Sequence, residues 1–482
     1  MKKILVIVPH QDDEVNVLGN VLHRIRTGNF VTAIAFVTNG DYDPELTKTR
    51  YKEASKVAKY LNVNHVYFLG YGDNLDGKSL YCGNKNEVIP SHAGHTETYS
   101  AGPVSDFRYL KSGFHSEYTR NNLLKDMKEL ILDVSADCII CVDCDRHPDH
   151  IMTSLIFEEA MKEIVIQRPY HPVVLKKYAY LGAWYAEDDY FDSPAVQPTE
   201  DSVVFPDVAL RGEKAIFPYQ WSERIRFQSD ETIVSRKYWA SALYKCLCLY
   251  KSQNALSVFP KVANSDGIYW YRDTNNLALC SQVSASSGVP GYVNDFKLVD
   301  YENINQLSSG IPQMCECAWK PDSGDLRPFI QMKFGQSKTI KHIRIHQGTP
   351  DGGAAKSVRV LLDNDVQYQF DLYHRYVNDL YIGDTVFSAA LKIEFNDYDT
   401  AFCVREIEVF DHISEYPWGD SLFEKWNGHI RTNREEINQK ERERFWHDVE
   451  IREKRWRQMK RAEKRIRRFW MEKARNENSD TI

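Results

Sequence analysis

No stretch of this chain reaches the roughly eighteen consecutive apolar residues that a membrane-spanning helix requires, so no helical span is expected. Cysteine is sparse, ten in 482 residues, and not spaced as the disulfide framework of a small secreted domain; reduced thiols are expected. The phosphate-cradling pattern G-x-G-x-x-G is missing after the first predicted strand, which argues against a dinucleotide-binding enzyme. No excess of basic charge marks the chain as a whole, whose net charge is −7. A leader is not expected either. The apolar run after Met1-Lys2-Lys3 is short, and acids stand where a small-residue cleavage site belongs. The expected location is the cytoplasm, with a peripheral place on the inner face of the membrane left open by the basic tail.

What the chain does have is a hydrophobic strand that runs into a knot of acids. Ile4-Leu5-Val6-Ile7-Val8 leads to Pro9-His10-Gln11-Asp12-Asp13-Glu14. Three adjacent carboxylates beside an imidazole repel one another unless a positive charge sits among them, and a divalent cation answers that need. A second cluster follows another hydrophobic run: Cys138-Ile139-Ile140-Cys141-Val142-Asp143, then Arg146-His147-Pro148-Asp149-His150. Both clusters stand at the carboxyl ends of predicted strands, where open α/β sheets place their sites.

Between them the pattern alternates. Strands are predicted over residues 3–8, 31–38, 65–69 and 138–143, and helices after the first strand (Val15, Leu18, Val21, Leu22 and Ile25 on one face), over 49–61 and over 121–134. This predicts a Rossmann-like α/β domain, a parallel sheet covered by helices on both faces, over residues 1–263. Two long segments, 73–117 and 188–228, interrupt it and read as walls of a cleft. From 264 to 414, short alternating stretches (329–334, 340–346, 357–362, 391–395 and 404–410) separated by Gly, Asp, Asn and Ser predict an all-β sandwich. Residues 415–482 carry one further Gly (Gly428) after Tyr416-Pro417-Trp418-Gly419, and Phe445, Val449, Trp456, Met459, Ile466 and Trp470 step by threes and fours. A long basic amphipathic helix is expected. Its mixed charges and seam favour helix–helix packing, hence self-association; the tryptophans keep a membrane surface open. Nucleic acid is the least favoured partner, since no nucleic-acid-binding fold accompanies the basic run.

If the chain turns helical near Gln11, His10 and Asp13 lie one turn apart and can face one point, with His150 completing a two-histidine, one-carboxylate metal set. Asp12 is then available as general base toward water. His147 is available to stabilise an oxyanion or protonate a leaving amine, with Asp149 orienting it. Glu14 reads as structural. Cys138, Cys141 and Cys144 read as core thiols rather than metal ligands, and Cys246, Cys248, Cys315 and Cys317 as packing. His92, His95 and His115 read as solvated loop histidines.

The two motifs together resemble the PIG-L/LmbE-like family of zinc-dependent de-N-acetylases. The likeness takes in Thr38-Asn39-Gly40-Asp41, Arg50, Glu53-Ala54, Leu69-Gly70, Asp73 and Ser252-Gln253. It implies metal ligands at His10, Asp13 and His150, a base at Asp12, an oxyanion-stabilising His147, and substrate contacts at Arg50 and Asp73. It also implies Zn²⁺ (Fe²⁺ or Co²⁺ as alternatives) and an N-acetylglucosamine-type sugar conjugate as substrate. Gln11 stands where the family usually has Pro. The β segment resembles the discoidin or coagulation-factor type C modules, a jelly-roll group that includes carbohydrate-binding modules. The likeness implies a glycan ligand; Trp270, Tyr292, Trp319, Tyr373 and Arg375 are candidates for its contacts, each as readily a core or framework residue. The competing expectation is a catalytically inactive glycan-binding or scaffold protein in polysaccharide assembly.

Overall fold

The structure is a computed structural model. It describes residues 1–179, 225–227, 242–255, 267–299 and 318–417, apart from short gaps at 20, 75–78, 82–83, 146, 349–352, 364 and 375, together with Tyr219 and scattered positions between 457 and 468. Cys315, Cys317, Arg375, most of the 188–228 segment and nearly all of the 415–482 tail therefore lie outside the described residues.

The first domain is built on β1 (Lys3–Val8), β2 (Val31–Thr38), β3 (His65–Tyr71), β4 (Cys138–Val142) and β5 (Val173–Lys177), all parallel. Two further strands, β6 (Ile225–Phe227) and β7 (Gly267–Arg272), close the edge antiparallel, so the sheet runs β3-β2-β1-β4-β5-β7-β6 and is mixed rather than wholly parallel. Every residue of β4, and of β1 after Lys3, is buried, as expected for central strands covered on both faces. β7 also carries this sheet past residue 263, the expected end of the domain. The expected boundary puts Gly267-Ile268-Tyr269-Trp270 with the following β region, and only the pairing of this strand with β5 assigns it to the first domain.

The helices are α1 (Asp13–Leu18), α2 (Val21–Thr27), α3 (Thr47–Tyr60), α4 (Phe107–Ser112), α5 (Arg120–Val134), α6 (Pro148–Gln167) and α7 (Ala242–Leu249). The single helix expected after β1 is two. Gly19 ends α1 at φ 50, a conformation that L side chains rarely adopt, and the chain restarts at Val21. The helix α6 starts with Pro148 at its first turn, capped by the His147 side chain. Cys138 and Cys141 lie buried in β4 as free thiols that burial pushes up to about 12.

The second domain is antiparallel: β8 (Gln282–Ala285), β9 (Phe329–Gln347), β10 (Ala355–Leu362), β11 (Gln367–Asp371), β12 (Val377–Tyr398) and β13 (Val404–Phe410). The stretches expected at 329–334 and 340–346 are one long strand, β9. Register shifts between Tyr381 and Val386, and between Ser388 and Ala390, let β12 and β9 bend together and serve both layers of the sandwich. Trp319, Ile330, Ile343, Val358, Ile393 and Val409 fill the space between. Trp319 is thus a core residue, its Nε1 donating to the Ser287 carbonyl, and Trp270 is buried in β7. Neither is a surface glycan contact. Tyr373 is open to solvent at 82%.

A buried ionic network joins the domains. Glu158 of α6 meets Lys176 Nζ at 3.1 Å and Arg272 Nη1 at 3.3 Å. Arg272 Nη2 donates to the Phe296 carbonyl at 2.8 Å and lies 3.7 Å from Glu408 of β13. Desolvated charges are tolerated only when paired on several sides, so the two domains are held in one arrangement. Of the tail, Ala462 is buried in the first domain's core cluster with Ile466 packed against it. Among the described residues, no helix is long and apolar enough to cross a membrane.

Candidate metal centre and active site

The site lies where β1, β2, β3 and β4 end. His10 follows β1, and its Nδ1 lies 2.9 Å from Asp13 Oδ2. That same oxygen lies 3.2 Å from His150 Nε2, so Asp13 stands between the two imidazoles. His150 is fixed from behind by Asp145 Oδ2, 2.7 Å from its Nδ1. On the other side, His10 Nε2 is 3.2 Å from Asp149 Oδ2 and 3.8 Å from Asp73 Oδ1. The rings of His10, His147 and His150 cluster with centroids 4.8–5.5 Å apart. Two groups of donor atoms close enough to share one cation result, His10–His147–His150 and His10–Asp73–Asp149.

The charges explain one another. Burial pulls His10 down, but the carboxylates of Asp73, Asp13 and Asp149 outweigh it and hold the ring well above its usual value. His150 is likewise lowered by burial and raised more strongly by Asp13 and Asp145, to about 10. Asp13 is held well below the usual carboxylate range, its burial overcome by His150 and His10. Opposite signs at this spacing favour the charged forms. The acids thus demand positive charge on both sides of Asp13. A cation bound by His10 and His150 would replace their ring protons, the usual exchange in metal binding. Asp13 Oδ1 is buried and makes no hydrogen bond, an unsatisfied acceptor of the kind a hard or borderline cation uses. The residues present fit a divalent metal.

Asp12 is set apart from its neighbours by backbone geometry. It caps α1 at φ 121, a strained value for a non-glycine residue. Glu14 holds it there, its Oε2 accepting the Asp12 N–H at 2.9 Å while Oε1 accepts the Tyr250 hydroxyl. The turn leaves the Asp12 carboxylate beside Arg50, whose Nη2 lies 3.6 Å from Asp12 Oδ1 and donates to the Gln11 carbonyl at 3.2 Å. Burial and Asp13 push the Asp12 carboxyl up, against Arg50, His10 and His150, to about 7. Such a group trades protons near neutrality, as a general base should. Glu14 is structural, as its place in the motif implies.

His147 Nδ1 accepts the Asp149 N–H at 3.2 Å. An accepting nitrogen carries no proton, so in the neutral ring Nε2 is the donor. Burial, then the neighbouring His10 and His150, lower His147 to about 3 and keep it neutral. Its Nδ1 is 3.6 Å from the Asp149 carboxylate, farther than His10 is. The main-chain amide of Asp149, more than its side chain, orients His147.

Arg50 and Asp73 were expected to meet substrate. Arg50, on α3, lies against Asp12 and Gln11; Asp73 is buried, its Oδ2 accepting the Tyr42 N–H at 2.9 Å. Gln11 donates to the Thr38 carbonyl at 3.0 Å and takes no part in the ring cluster. Gly40 belongs to the same corner. A Cβ there would come 2.5 Å from Gln11 Oε1 and 2.6 Å from Arg50 Nε, and its φ is 63, so Asn39-Gly40-Asp41 is a glycine turn by necessity. Glu53 accepts from the Lys251 and Ser252 amides and the Ser252 hydroxyl, which ties α3 to the segment after α7.

Three contributors escape sequence reasoning. Asp145 supports His150; Asn74 holds Asp149 through its amide (3.1 Å) and its Nδ2 (2.6 Å); Tyr250 supports Glu14 from 236 residues away. Asp145 and Asn74 sit beside residues already singled out, a signal that was there to use. Tyr250 has none.

Fold and site together place a cluster of histidines and carboxylates, compatible with metal binding, at the carboxyl edge of a Rossmann-like sheet. Residues 5–161 match the family model described as PIG-L: GlcNAc-PI de-N-acetylase. No curated protein matches the chain at a significant level. Among solved structures, the C-terminal β region is similar to the family 32 carbohydrate-binding module of C. perfringens solved with galactose. Identity is 14%, with 27% of this chain and 92% of that one covered and a TM-score of 0.20. A chitosan-binding module of Paenibacillus sp. IK-5 solved with chitotriose matches at 16% identity (28% and 99% covered, TM-score 0.21). A Streptococcus pneumoniae fucose binding module matches at 11% (28% and 98%, TM-score 0.23). Likeness at such scores says nothing about the ligand of the sandwich.

Proposed function

We propose that this chain is a metal-dependent amidohydrolase that removes the N-acetyl group from an N-acetylglucosamine-type sugar in a glycoconjugate or glycan precursor. The observation that carries the reading is the division of labour at the end of β1: Asp13 stands between His10 and His150, while Asp12, its backbone strained, lies beside Arg50 and is pushed up to about 7. The match of residues 5–161 to a de-N-acetylase family model supports the reaction class.

His10, Asp13 and His150 would hold the metal, zinc in the first instance. Bound there, it supplies Lewis acidity to the amide carbonyl and acidity to a water. Asp12 accepts the proton of the attacking water, with Arg50 keeping its carboxylate in place. His147 donates from Nε2 toward the oxygen that gains negative charge, and a proton reaches the departing amine as the C–N bond breaks. Acetate and a free amino sugar result. A glycan ligand for the sandwich belongs to the same proposal, as does a cytoplasmic setting.

The test is acetate release from N-acetylglucosamine conjugates, paired with metal analysis of the purified full chain. Asp12→Ala should lower kcat by about 10²–10⁴-fold with metal content unchanged, whereas His150→Ala should lose both. Full activity in Asp12→Ala would refute the mechanism. A wild-type chain that binds metal and sugar but releases no acetate would favour the inactive glycan-binding alternative.

A further inference from the structure

The two imidazoles that flank Asp13 are built alike: one nitrogen of each faces Asp13, and the other faces a carboxylate behind the ring. For His150 these are Nε2, 3.2 Å from Asp13 Oδ2, and Nδ1, 2.7 Å from Asp145 Oδ2. For His10 they are Nδ1, 2.9 Å from the same Asp13 oxygen, and Nε2, 3.2 Å from Asp149 Oδ2. The sequence suggests Asp149 as the partner of His147, yet the reaction proposed above gives its carboxylate no task.

Donor and acceptor chemistry rules out the pairing with His147. His147 Nδ1 accepts the Asp149 N–H, so in the neutral ring that nitrogen has no proton to give. The Asp149 carboxylate, 3.6 Å from it, is a second acceptor, and two acceptors make no hydrogen bond. His10 Nε2 can donate, and it is nearer. The carboxylate is also fixed in place for that donor. Asn74 fills Oδ1 with its main-chain amide at 3.1 Å and its Nδ2 at 2.6 Å, which leaves Oδ2 to His10. Asp149 and His10 are both buried. A proton held on Nε2 puts the lone pair of a neutral His10 on Nδ1, the nitrogen that faces Asp13. A metal-binding imidazole usually donates its other N–H in this way, which fixes both tautomer and ring orientation.

We propose that Asp149 is the positioning residue of His10: with Asn74 behind it, it holds the Nε2 proton, turns Nδ1 toward Asp13, and so selects the side of the ring that takes the ion. The proposal rests on the metal-dependent reading above. The group His10–Asp73–Asp149 is then a hydrogen-bonded backing and not a second seat for an ion. An asparagine at 149 keeps the shape and breaks the relay. With its Oδ1 toward His10, its Nδ2 meets the two donors of Asn74; flipped, it offers the His10 N–H no acceptor.

The experiment measures Zn²⁺ affinity by competition with a fluorescent chelator, for full-length wild type, Asp149→Asn, Asn74→Ala and His147→Ala. Acetate release from N,N′-diacetylchitobiose is followed at limiting and at saturating zinc. Asp149→Asn should weaken zinc binding by about 10–100-fold, and saturating zinc should return kcat to within about threefold of wild type. Asn74→Ala removes one donor to Asp149 and should weaken binding by about three- to tenfold. His147→Ala should lower kcat at every zinc concentration. A crystal of the zinc-loaded chain should show one ion per chain, met by His10 through Nδ1. Unchanged zinc affinity in Asp149→Asn, with a loss of kcat that zinc does not restore, would overturn the proposal and leave the metal centre standing. So would a contact to the ion through His10 Nε2. Should Asp149→Asn fail to fold, Asn74→Ala decides, and unchanged affinity there overturns the proposal. Zinc bound through Nδ1 and weakened in Asp149→Asn, in a wild type that releases no acetate, would keep the positioning role and sink the reaction. A wild type that takes up no zinc would overturn both.

Discussion

Replacing Arg272 by Met tests whether the two domains unfold as one body. The guanidinium bridges Glu158, on the helix that also carries His150, and Glu408 in the sandwich, while donating to the Phe296 carbonyl and lying 4.4 Å over the Phe296 ring. Met fills much of the volume but leaves Glu158 to Lys176 alone and strips Glu408 of a cation. Breaking a buried pair by removing one partner costs about 3–5 kcal/mol. An unfolding entropy of roughly 2.1 cal/mol/K per residue, over a cooperative body of roughly 400 residues, converts that cost into a drop in Tm of about 4–6 °C. Differential scanning calorimetry reads it on the full chain. Arg272→Met should show the lowered Tm and a splitting of the wild-type endotherm, as the sandwich separates from the sheet. The double variant Arg272→Met with Glu158→Met should recover part of the loss, because two desolvated charges leave together. A shift below about 1 °C with one unchanged transition would refute the reasoning and leave the network as a bystander.

Two other outcomes can be checked. Tyr250→Phe removes the hydroxyl that supports Glu14 and, through it, the strained Asp12 backbone; kcat should fall several-fold with metal content unchanged, and stability by about 1–2 kcal/mol in urea titrations. Loss of metal instead would place Tyr250 in the ligand shell. His412, at the end of β13, is raised to about 9 by Asp273, 2.8 Å away on the β7 side, and by Asp411, against its partial burial; Ser414 shares the Asp273 carboxylate. A raised histidine stabilises fully below its unfolded pKa and loses that contribution as pH rises through its folded one. The stability gap between wild type and His412→Asn should therefore be greatest near about pH 6 and close by about pH 10, at well under ~1 kcal/mol given the ring's exposure. A gap that widened with pH would contradict the assignment.

The first domain was legible because its signals are local. Aliphatic runs such as Ile4–Val8 and the 31–38 stretch can only be central strands, and acids with imidazoles at their ends cannot be there for packing. The sandwich strands were visible by alternation, yet β9 read as two pieces because Gly335-Gln336-Ser337 resembles a turn; pairing with β12 across a bulge carries the strand through. Alternation likewise could not tell that Gly267–Arg272 belongs to the sheet before it rather than the sandwich after it, since a strand's partner is not written in its own residues. By residue type Trp270 and Trp319 suit a glycan contact or a core position equally, and the neighbours that fold over them decide for the core.

By itself, the amino-acid sequence determined where the chemistry would gather: residues 9–14 and 147–150, each at the end of an obligatory buried strand. Residue type and periodicity suffice for that, because strand direction places both ends on one edge. Only the tertiary structure decided what each acid does. Asp13 is drawn between two imidazoles, Asp12 is turned toward Arg50 by a φ of 121, and Glu14 is drawn back to a tyrosine 236 residues further along the chain. Three neighbouring carboxylates are chemically alike in sequence. They become different only when burial and the charges around each, supplied by residues distant in the chain, set them apart.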